Sequence, residues 1–123
     1  MSFAIKHKPS PGIIEVIFRG FTTGDDLREA TTKCISMEKE TGTTRFLIDA
    51  VEVNLAASIT DLYNLPVQFE DEKANRESRT AVILPKSPRA RRDAEFCETA
   101  CRNRGWSVQT FSERQGAIDW LMR

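Results

Sequence analysis

Residues 45–61 have the sequence RFLIDAVEVNLAASITD, and this stretch decides how the rest of the chain is organised. Its apolar run FLI, residues 46–48, is typical of a β-strand that is covered on both faces. Near its end, Ser58 is followed three residues later by Asp61, a pattern that predicts a capping box at a helix start. Since open α/β sheets bind their ligands at the carboxyl ends of their strands, we expect any functional site to lie here.

Four polar residues of this stretch are the candidate phosphate-acceptor or ligand-binding residues: Asp49, Asn54, Ser58 and Thr60. We expect Asp49 near the carboxyl end of the strand and the other three in the loop and first helical turn that follow. Helix N-termini favour negative charge, so a phosphorylated or ligand-bound Ser58 would be stabilised there. The capping box is by itself a sufficient structural reason for Ser58, and both interpretations stay open.

The chain before residue 45 predicts a β-hairpin and a helix. Two alternating segments, residues 3–8 and 13–20, flank the turn sequence PSPG and should pair as antiparallel strands. Thr23 with an aspartate three residues later predicts a helix start, and Gly42 predicts its end.

The chain after residue 57 predicts three more helices and two more strands. Residues 58–78 predict a helix that Pro66 kinks or splits, with Asn64 capping the second piece. The following elements are a buried strand in RTAVILP, a helix from Ser87-Pro88 to Gly105, a strand at 106–111, and a last helix opened by a capping box in SERQ.

The element order is therefore β-β-α-β-α-β-α-β-α, which predicts one α/β domain spanning residues 1–123. An N-terminal hairpin followed by βα units requires right-handed crossovers and a mixed, mostly parallel sheet. We expect four or five strands and about four helices.

Composition argues against several classes of protein. Eighteen basic residues balance eighteen acidic ones, so whole-surface attraction to nucleic acid or to an anionic membrane is not expected. No segment has the length and apolarity of a membrane span or signal peptide, and the three cysteines show no disulfide spacing, which together predict a cytoplasmic protein. No nucleotide-binding loop, metal-ligand spacing or catalytic triad is present, so we expect no cofactor, no metal and no enzymatic activity.

One basic cluster, Lys86, Arg89, Arg91 and Arg92, surrounds the predicted start of the third helix. Cations at a helix N-terminus oppose the macrodipole unless an anion joins them. The cluster is therefore a candidate contact for an anion or an acidic partner, and solvated side chains are the simpler explanation.

The whole chain resembles the STAS domain family, typified by bacterial anti-sigma-factor antagonists and by the cytoplasmic tails of sulfate transporters. The segments IIEVIFRG, FLIDAVEV, RTAVILP and AIDWL carry the resemblance, which is closest to stand-alone bacterial members grouped with lipid-binding CRAL-TRIO-like domains. In the antagonists, an aspartate ending the central strand leads to a serine that a partner kinase phosphorylates. Asp49 and Ser58 match these positions, although the family's Asp-Ser-Ser-Gly run is replaced here by ASIT, residues 57–60.

This resemblance implies a non-enzymatic regulatory module that binds another protein, a regulatory kinase or similar, through the loop and helix start at residues 54–60. The alternative is a carrier or sensor of a small apolar or anionic ligand. Its cavity would lie beneath the second and third helices, with Leu62, Tyr63, Val67 and Phe69 as the expected lining. A homodimer is a further option that the sequence leaves open.

Overall fold

The chain folds into one mixed five-stranded sheet with four helices, which confirms the predicted fold class. The structure is a computed structural model that describes residues 2–123. The elements are β1 (Phe3–Lys8), β2 (Ile13–Thr22), α1 (Gly24–Thr41), β3 (Arg45–Leu55), α2 (Ile59–Asp71), β4 (Arg79–Ile83), α3 (Pro88–Asn103), β5 (Ser107–Phe111) and α4 (Arg114–Leu121). The strands lie in the order β1-β2-β3-β4-β5, with β1 antiparallel to β2 and the other pairs parallel. Within residues 2–123, none of the helices is long and apolar enough to cross a membrane.

The sheet has a hydrophobic core on each face. On one face, alternate residues of β2 such as Val16 pack with Cys34 of α1, and α2 and α3 cover the neighbouring strands. On the opposite face, Leu47 of β3 packs with Ala117 and Leu121 of α4. The central strand is therefore buried on both sides, as its continuous apolar run predicts.

Helix α2 differs from the predicted helix at residues 58–78. It runs unbroken through Pro66, and Asn64 is an exposed residue in its interior, so the predicted second cap is wrong. Proline removes the hydrogen bond that the carbonyl of Leu62 would accept within the helix. The thiol of Cys97 on α3 lies 3.9 Å from that carbonyl oxygen and supplies a weak replacement donor.

The end of α2 is fixed by the turn that follows it. Lys73 adopts a left-handed backbone conformation with φ of 59°, and the N–H of Ala74 donates to the carbonyl of Phe69 at 2.9 Å. The next turn is held by Glu38 of α1, whose Oε1 accepts from the N–H of Asn75 at 2.9 Å. A tertiary contact of this kind is not visible in the sequence pattern, which continues with helical periodicity beyond Asp71.

Helix α4 also starts differently from the prediction. Its N-cap is Glu113, which makes no side-chain capping hydrogen bond, so the capping box predicted for residues 112–115 is wrong. The first residue of the helix, Arg114, instead forms an ion pair with Glu15 of β2 at 2.8 Å. Long-range charge pairing thus anchors this helix where the sequence suggested a local cap.

Glu15 is the centre of this charge network. Its side chain is only 3% exposed, yet it contacts Lys8 of β1 at 2.6 Å as well as Arg114. Burial alone would raise the pKa of Glu15, but the hydrogen bonds from the two cations outweigh burial and hold the pKa below its ordinary value. The carboxylate therefore stays charged and links the hairpin to α4.

Replacing Glu15 by glutamine should lower the free energy of unfolding at pH 7 by about 1–2 kcal/mol, because two charge-assisted hydrogen bonds are lost. The stabilisation is complete above the carboxyl pKa of the unfolded chain and is lost as the pH falls through the lower pKa of the folded chain. Urea unfolding should therefore show the difference between wild type and Glu15→Gln narrowing from pH 7 to pH 3. Glu52→Gln, which removes an ion pair between two exposed side chains, is the matched control and should change the free energy of unfolding little. The assigned charge network would be contradicted if wild type and Glu15→Gln differed by the same free energy of unfolding at pH 7 and at pH 3.

Candidate functional site

Ser58 is the N-cap of α2 and forms the predicted capping box with Asp61. The Ser58 hydroxyl oxygen accepts from the Asp61 N–H at 3.0 Å, and the Ser58 N–H donates to Asp61 Oδ2 at 2.9 Å. The N–H hydrogen bond from Ser58 is the main reason that the pKa of Asp61 lies below its ordinary range. Ser58 itself is exposed, so its hydroxyl is accessible on the surface.

Asp61 also joins the start of α2 to the start of α1. The two helices follow neighbouring parallel strands, so their N-termini lie side by side at the carboxyl end of those strands. Arg28 of α1 donates to Asp61 Oδ1 at 3.2 Å and also contacts Asp25. At Gly24, an added Cβ atom would clash with the Asp61 carboxyl group, so only glycine lets the two helix starts approach this closely.

The loop between β3 and α2 exposes most of its side chains. Asn54 is exposed at the end of β3, opposite the exposed Phe21 of β2, and Thr60 is exposed in the first turn of α2. The loop backbone is anchored by the Ala56 N–H, which donates to the carbonyl of Thr22 at 2.8 Å. Ser58 and Thr60 therefore share one stretch of surface, whereas Asn54 alternates with the cavity-lining Val53 and Leu55 and points to the opposite side of the sheet.

Asp49 does not belong to that surface, which corrects the expected placement. The strand continues past Asp49 to Leu55, and a bulge between the Ile17 and Arg19 pairings adds one residue to β3. Asp49 faces α4 on the opposite side of the sheet, where it lies 3.6 Å from Arg114 and accepts from the Val51 N–H at 3.1 Å. The strand is longer than its apolar run at residues 46–48, because the outer part of the strand is less buried and also carries polar residues.

An exposed apolar row begins beside the loop. Ile59 and Tyr63 are one turn apart on α2 and are 53% and 52% exposed. Glu70 lies on the same side of α2 and forms a 2.8 Å ion pair with Arg104 at the end of α3. This side of α2 therefore faces α3.

Phe96 completes the row from the α3 side. It lies on the side of α3 opposite Glu98, whose carboxylate accepts from Thr110 of β5 at 2.8 Å, so Phe96 points away from β5. Phe96 is also among the exposed large apolar residues. We call Ile59, Tyr63 and Phe96 the α2–α3 patch.

The basic cluster lies at the start of α3, the upper end of this patch. Ser87 caps the helix by accepting from the Ala90 N–H at 3.1 Å. Lys86 forms an ion pair with Glu52 at 2.7 Å, whereas Arg89, Arg91 and Arg92 have no carboxylate within ion-pair distance in residues 2–123. Three cations at a helix N-terminus that form no ion pair within residues 2–123 leave a local positive potential.

An apolar cavity of about 190 Å³ lies between the sheet and helices α1, α2 and α3. Leu62, Leu65 and Phe69 of α2 line it from above, and strands β2 to β5 form its floor. Two expected lining residues are not there: Tyr63 belongs to the α2–α3 patch, and Val67 lies in the outer groove between α1 and α2. The side of α2 that faces the cavity therefore differs by part of a helical turn from the side that the sequence predicted.

All three cysteines line this cavity as packing residues. Burial raises the pKa of Cys34 to about 12, and the hydrogen bond with Cys97 raises the pKa of Cys101 together with burial. These two thiols stay protonated and unreactive. Among the residues that the structure describes, no three histidine, cysteine or acidic side chains are grouped as metal ligands would be.

One lining residue that the sequence analysis missed is Glu38. It continues the Ala30 and Cys34 row of α1 at four-residue spacing, which was the available signal that it faces inward. It is only 5% exposed, and its Oε2 has no hydrogen-bond partner within the described residues.

Solved structures of bacterial regulators have the same fold. An anti-sigma factor antagonist from Mycobacterium paratuberculosis matches 98% of this chain and 93% of its own length, with a TM-score of 0.67 and 14% identity. The anti-sigma factor antagonist SpoIIAA in its unphosphorylated form matches 98% of this chain and 97% of its own, with a TM-score of 0.63 and 13% identity. The Bacillus cell-fate determinant SpoIIAA in its phosphorylated form matches 97% of this chain and 98% of its own, with a TM-score of 0.59 and 18% identity.

These likenesses confirm the expected STAS-type, SpoIIAA-like fold over nearly the whole chain. No protein-family model matches the sequence, and no curated protein matches it. At 13–18% identity the similarity is one of architecture. The function must therefore be argued from this chain's own surface and cavity.

Substituting alanine for Gly24 should lower the free energy of unfolding by about 1–2 kcal/mol, because the new methyl group displaces Asp61 and breaks the α2 capping box. In an Asp61→Ala background the same change should be neutral or slightly stabilising, since alanine favours helix over glycine. A double-mutant cycle from urea unfolding measures this coupling. Gly116→Ala in α4, where the added Cβ has an ordinary 3.6 Å contact, is the matched control. If the Gly24→Ala and Asp61→Ala changes in the free energy of unfolding simply add, the contact between these residues is disproved.

Proposed function

We propose that this chain is a non-enzymatic regulatory module of the cytoplasm that binds a protein partner through the 54–60 loop, the α2–α3 patch and the arginines of α3. The observation that carries the proposal is the combination of exposed apolar side chains on α2 and α3, the exposed capping serine Ser58 at the start of α2, and three arginines at the start of α3 that have no ion-pair partner within the described residues. Protein interfaces are enriched in aromatic residues and arginine, and unpaired cations favour an acidic partner.

Phosphorylation of Ser58 would be an effective switch for this surface. A phosphate adds close to two negative charges and would lie beside the Asp61 carboxylate, which the Ser58 N–H holds at 2.9 Å. Repulsion between these groups would open the capping box and move the first turn of α2, including Ile59. The solved SpoIIAA structures in unphosphorylated and phosphorylated forms support a switch of this kind in the same fold.

A binding role fits the surroundings of Ser58 better than catalysis does. The single histidine, His7, lies on the edge strand β1 and shares a 2.9 Å hydrogen bond with Thr43, so it is not a general base for Ser58. Asp61 is a carboxylate whose lowered pKa makes it a weak base. The partner that we propose is a regulatory kinase or a similar protein, and a second copy of this chain is the alternative outcome.

Two measurements on the full chain expressed in its own host test this proposal. Intact mass analysis should show a fraction carrying one phosphate, which peptide mapping assigns to Ser58. In-cell cross-linking of a tagged chain should capture one predominant partner. Ser58→Glu or Arg89→Glu should each reduce that capture by about tenfold, since each changes the charge of the proposed binding surface.

Ser36→Glu and Lys6→Glu are the charge-matched controls, because both residues are exposed and lie on or beside β1, away from α2 and α3. They should leave partner capture unchanged. The proposal is wrong if Ser58 is never modified and the Ser58 and Arg89 variants capture the partner as well as the controls do. Cross-links between two copies of the chain would indicate the homodimer.

A second candidate function is supported by the cavity. An apolar space of about 190 Å³ exceeds the roughly 150 Å³ that holds benzene in an engineered protein core. Well-packed interiors rarely leave such a space empty, so we propose that the cavity accommodates a small apolar molecule. No cation lines it, which disfavours the anionic ligand that the sequence analysis left open.

Ethylbenzene, an apolar molecule of matching size, tests this second function. It should bind saturably and raise the melting temperature, because a ligand that binds only the folded state stabilises it in proportion to its concentration. Ala94→Leu, which fills the cavity from α3, should abolish that shift, whereas the exposed Thr99→Leu on the same helix should not. The absence of a saturable shift in the wild type would remove the carrier function and leave the protein-binding proposal standing.

A further inference from the structure

The buried carboxyl group of Glu38 lies in the wall of the apolar cavity. Its Oε1 has a defined structural role, since it accepts from the Asn75 N–H at 2.9 Å. Its Oε2 is buried without a hydrogen-bond partner within the described residues. An unpaired buried acceptor is costly, and native proteins usually satisfy such a group with a partner or a bound molecule.

The remaining polar groups of the cavity wall are few. The Thr31 hydroxyl donates to the carbonyl of Leu27 at 2.8 Å, and Glu98 accepts from Thr110, so these two groups are already paired. Ser78 is buried in the same wall, and its N–H donates to the carbonyl of Asn75 at 3.0 Å. Glu38 and Ser78 therefore contact the same residue, Asn75, and form one polar end of a mostly apolar space. Thr80 and Trp106, whose buried Nε1 has no partner within the described residues, add two further polar groups to the lining.

We propose that the cavity binds an uncharged, mostly apolar molecule with a single hydroxyl group, and that Glu38 Oε2 is the hydrogen-bond anchor for that hydroxyl. This inference rests on the second candidate function and names its ligand class. The apolar part of the ligand contacts Leu62, Leu65 and Phe69, and the hydroxyl lies at the Glu38 end.

The chemistry of the polar end selects a hydroxyl over other groups. An ammonium would have to leave water for a mostly apolar space that offers one carboxylate oxygen without a partner within the described residues, and the desolvation of that charge is costly. A carboxylate or phosphate would be repelled by the ionised form of Glu38, and no cation among the described residues lines the cavity to compensate. A hydroxyl both donates and accepts, so it pairs with Glu38 whether that side chain is ionised or protonated. Burial raises the pKa of Glu38, against the opposing effect of the Asn75 N–H.

The volume limits the size of the ligand. A benzene molecule has six non-hydrogen atoms and fits a cavity of roughly 150 Å³, so the present cavity holds about eight. Benzyl alcohol has this size and one hydroxyl. Ethylbenzene has the same shape without the hydroxyl, and benzoate has a negative charge in its place.

These three probes test the inference by NMR titration of the full chain at pH 7. Benzyl alcohol should bind about tenfold more tightly than ethylbenzene, because it satisfies a buried acceptor that ethylbenzene leaves unpaired. Benzoate should bind more weakly than either. The perturbed resonances of the alcohol complex should centre on Glu38, Ser78 and the lining residues of α2.

Variants of Glu38 identify the anchor. Glu38→Met removes the acceptor and should reduce the tenfold preference to near one, whereas Glu38→Gln keeps both the Asn75 contact and a hydrogen-bonding group and should retain most of it. Glu40→Met, an exposed change two residues further along α1, is the matched control. The comparison of probes on the wild type stands even if Glu38→Met fails to fold.

The outcomes separate this inference from the function on which it rests. Saturable binding of ethylbenzene and benzyl alcohol with equal affinity would retain the carrier function and overturn the role of Glu38. Tighter binding of benzoate would overturn the uncharged ligand class. Failure of all three probes to bind would overturn both the inference and the carrier function.

Discussion

The burial of β3 on both faces is the constraint on which the rest of the structure depends. Leu47 packs against α4 on one side and Phe46 packs against the α1 core on the other. A strand placed in this way needs a hydrogen-bonded neighbour at each edge, and β2 and β4 both pair with it in parallel. Parallel pairing in turn requires helical crossovers, which bring the starts of α1 and α2 together at one end of the sheet.

The close contact between those helix starts follows from the same geometry. Asp61 lies against Gly24 and binds Arg28, so the cap of α2 is held by α1 as well as by Ser58. A helix start with several shared hydrogen bonds is well ordered, yet one added charge at Ser58 would disturb all of them. This coupling is the physical basis of the switch that we propose at Ser58.

Helix α2 connects the surface with the cavity. Its outer side carries Ile59 and Tyr63 in the α2–α3 patch, and its inner side carries Leu62 and Phe69 above the cavity. Pro66 removes one internal hydrogen bond from this helix, and a weak thiol contact replaces it. Helix α2 therefore has one internal backbone hydrogen bond fewer than an uninterrupted helix of its length. A molecule in the cavity would contact the same helix whose N-cap is Ser58.

The fold and the Ser58 capping box were predictable from the sequence because both depend on local patterns. Alternation in residues 13–20, the apolar run at 46–48 and the spacing of Ser58 and Asp61 each reflect strand or helix periodicity. Tertiary structure decided four other features. These are where α2 ends, which side of the sheet Asp49 faces, that Tyr63 is exposed, and that Glu38 Oε2 has no hydrogen-bond partner within the described residues. Each depends on a partner far away in the chain, such as Asn75 for Glu38 or Arg114 for Asp49, and periodicity alone does not specify which distant groups meet.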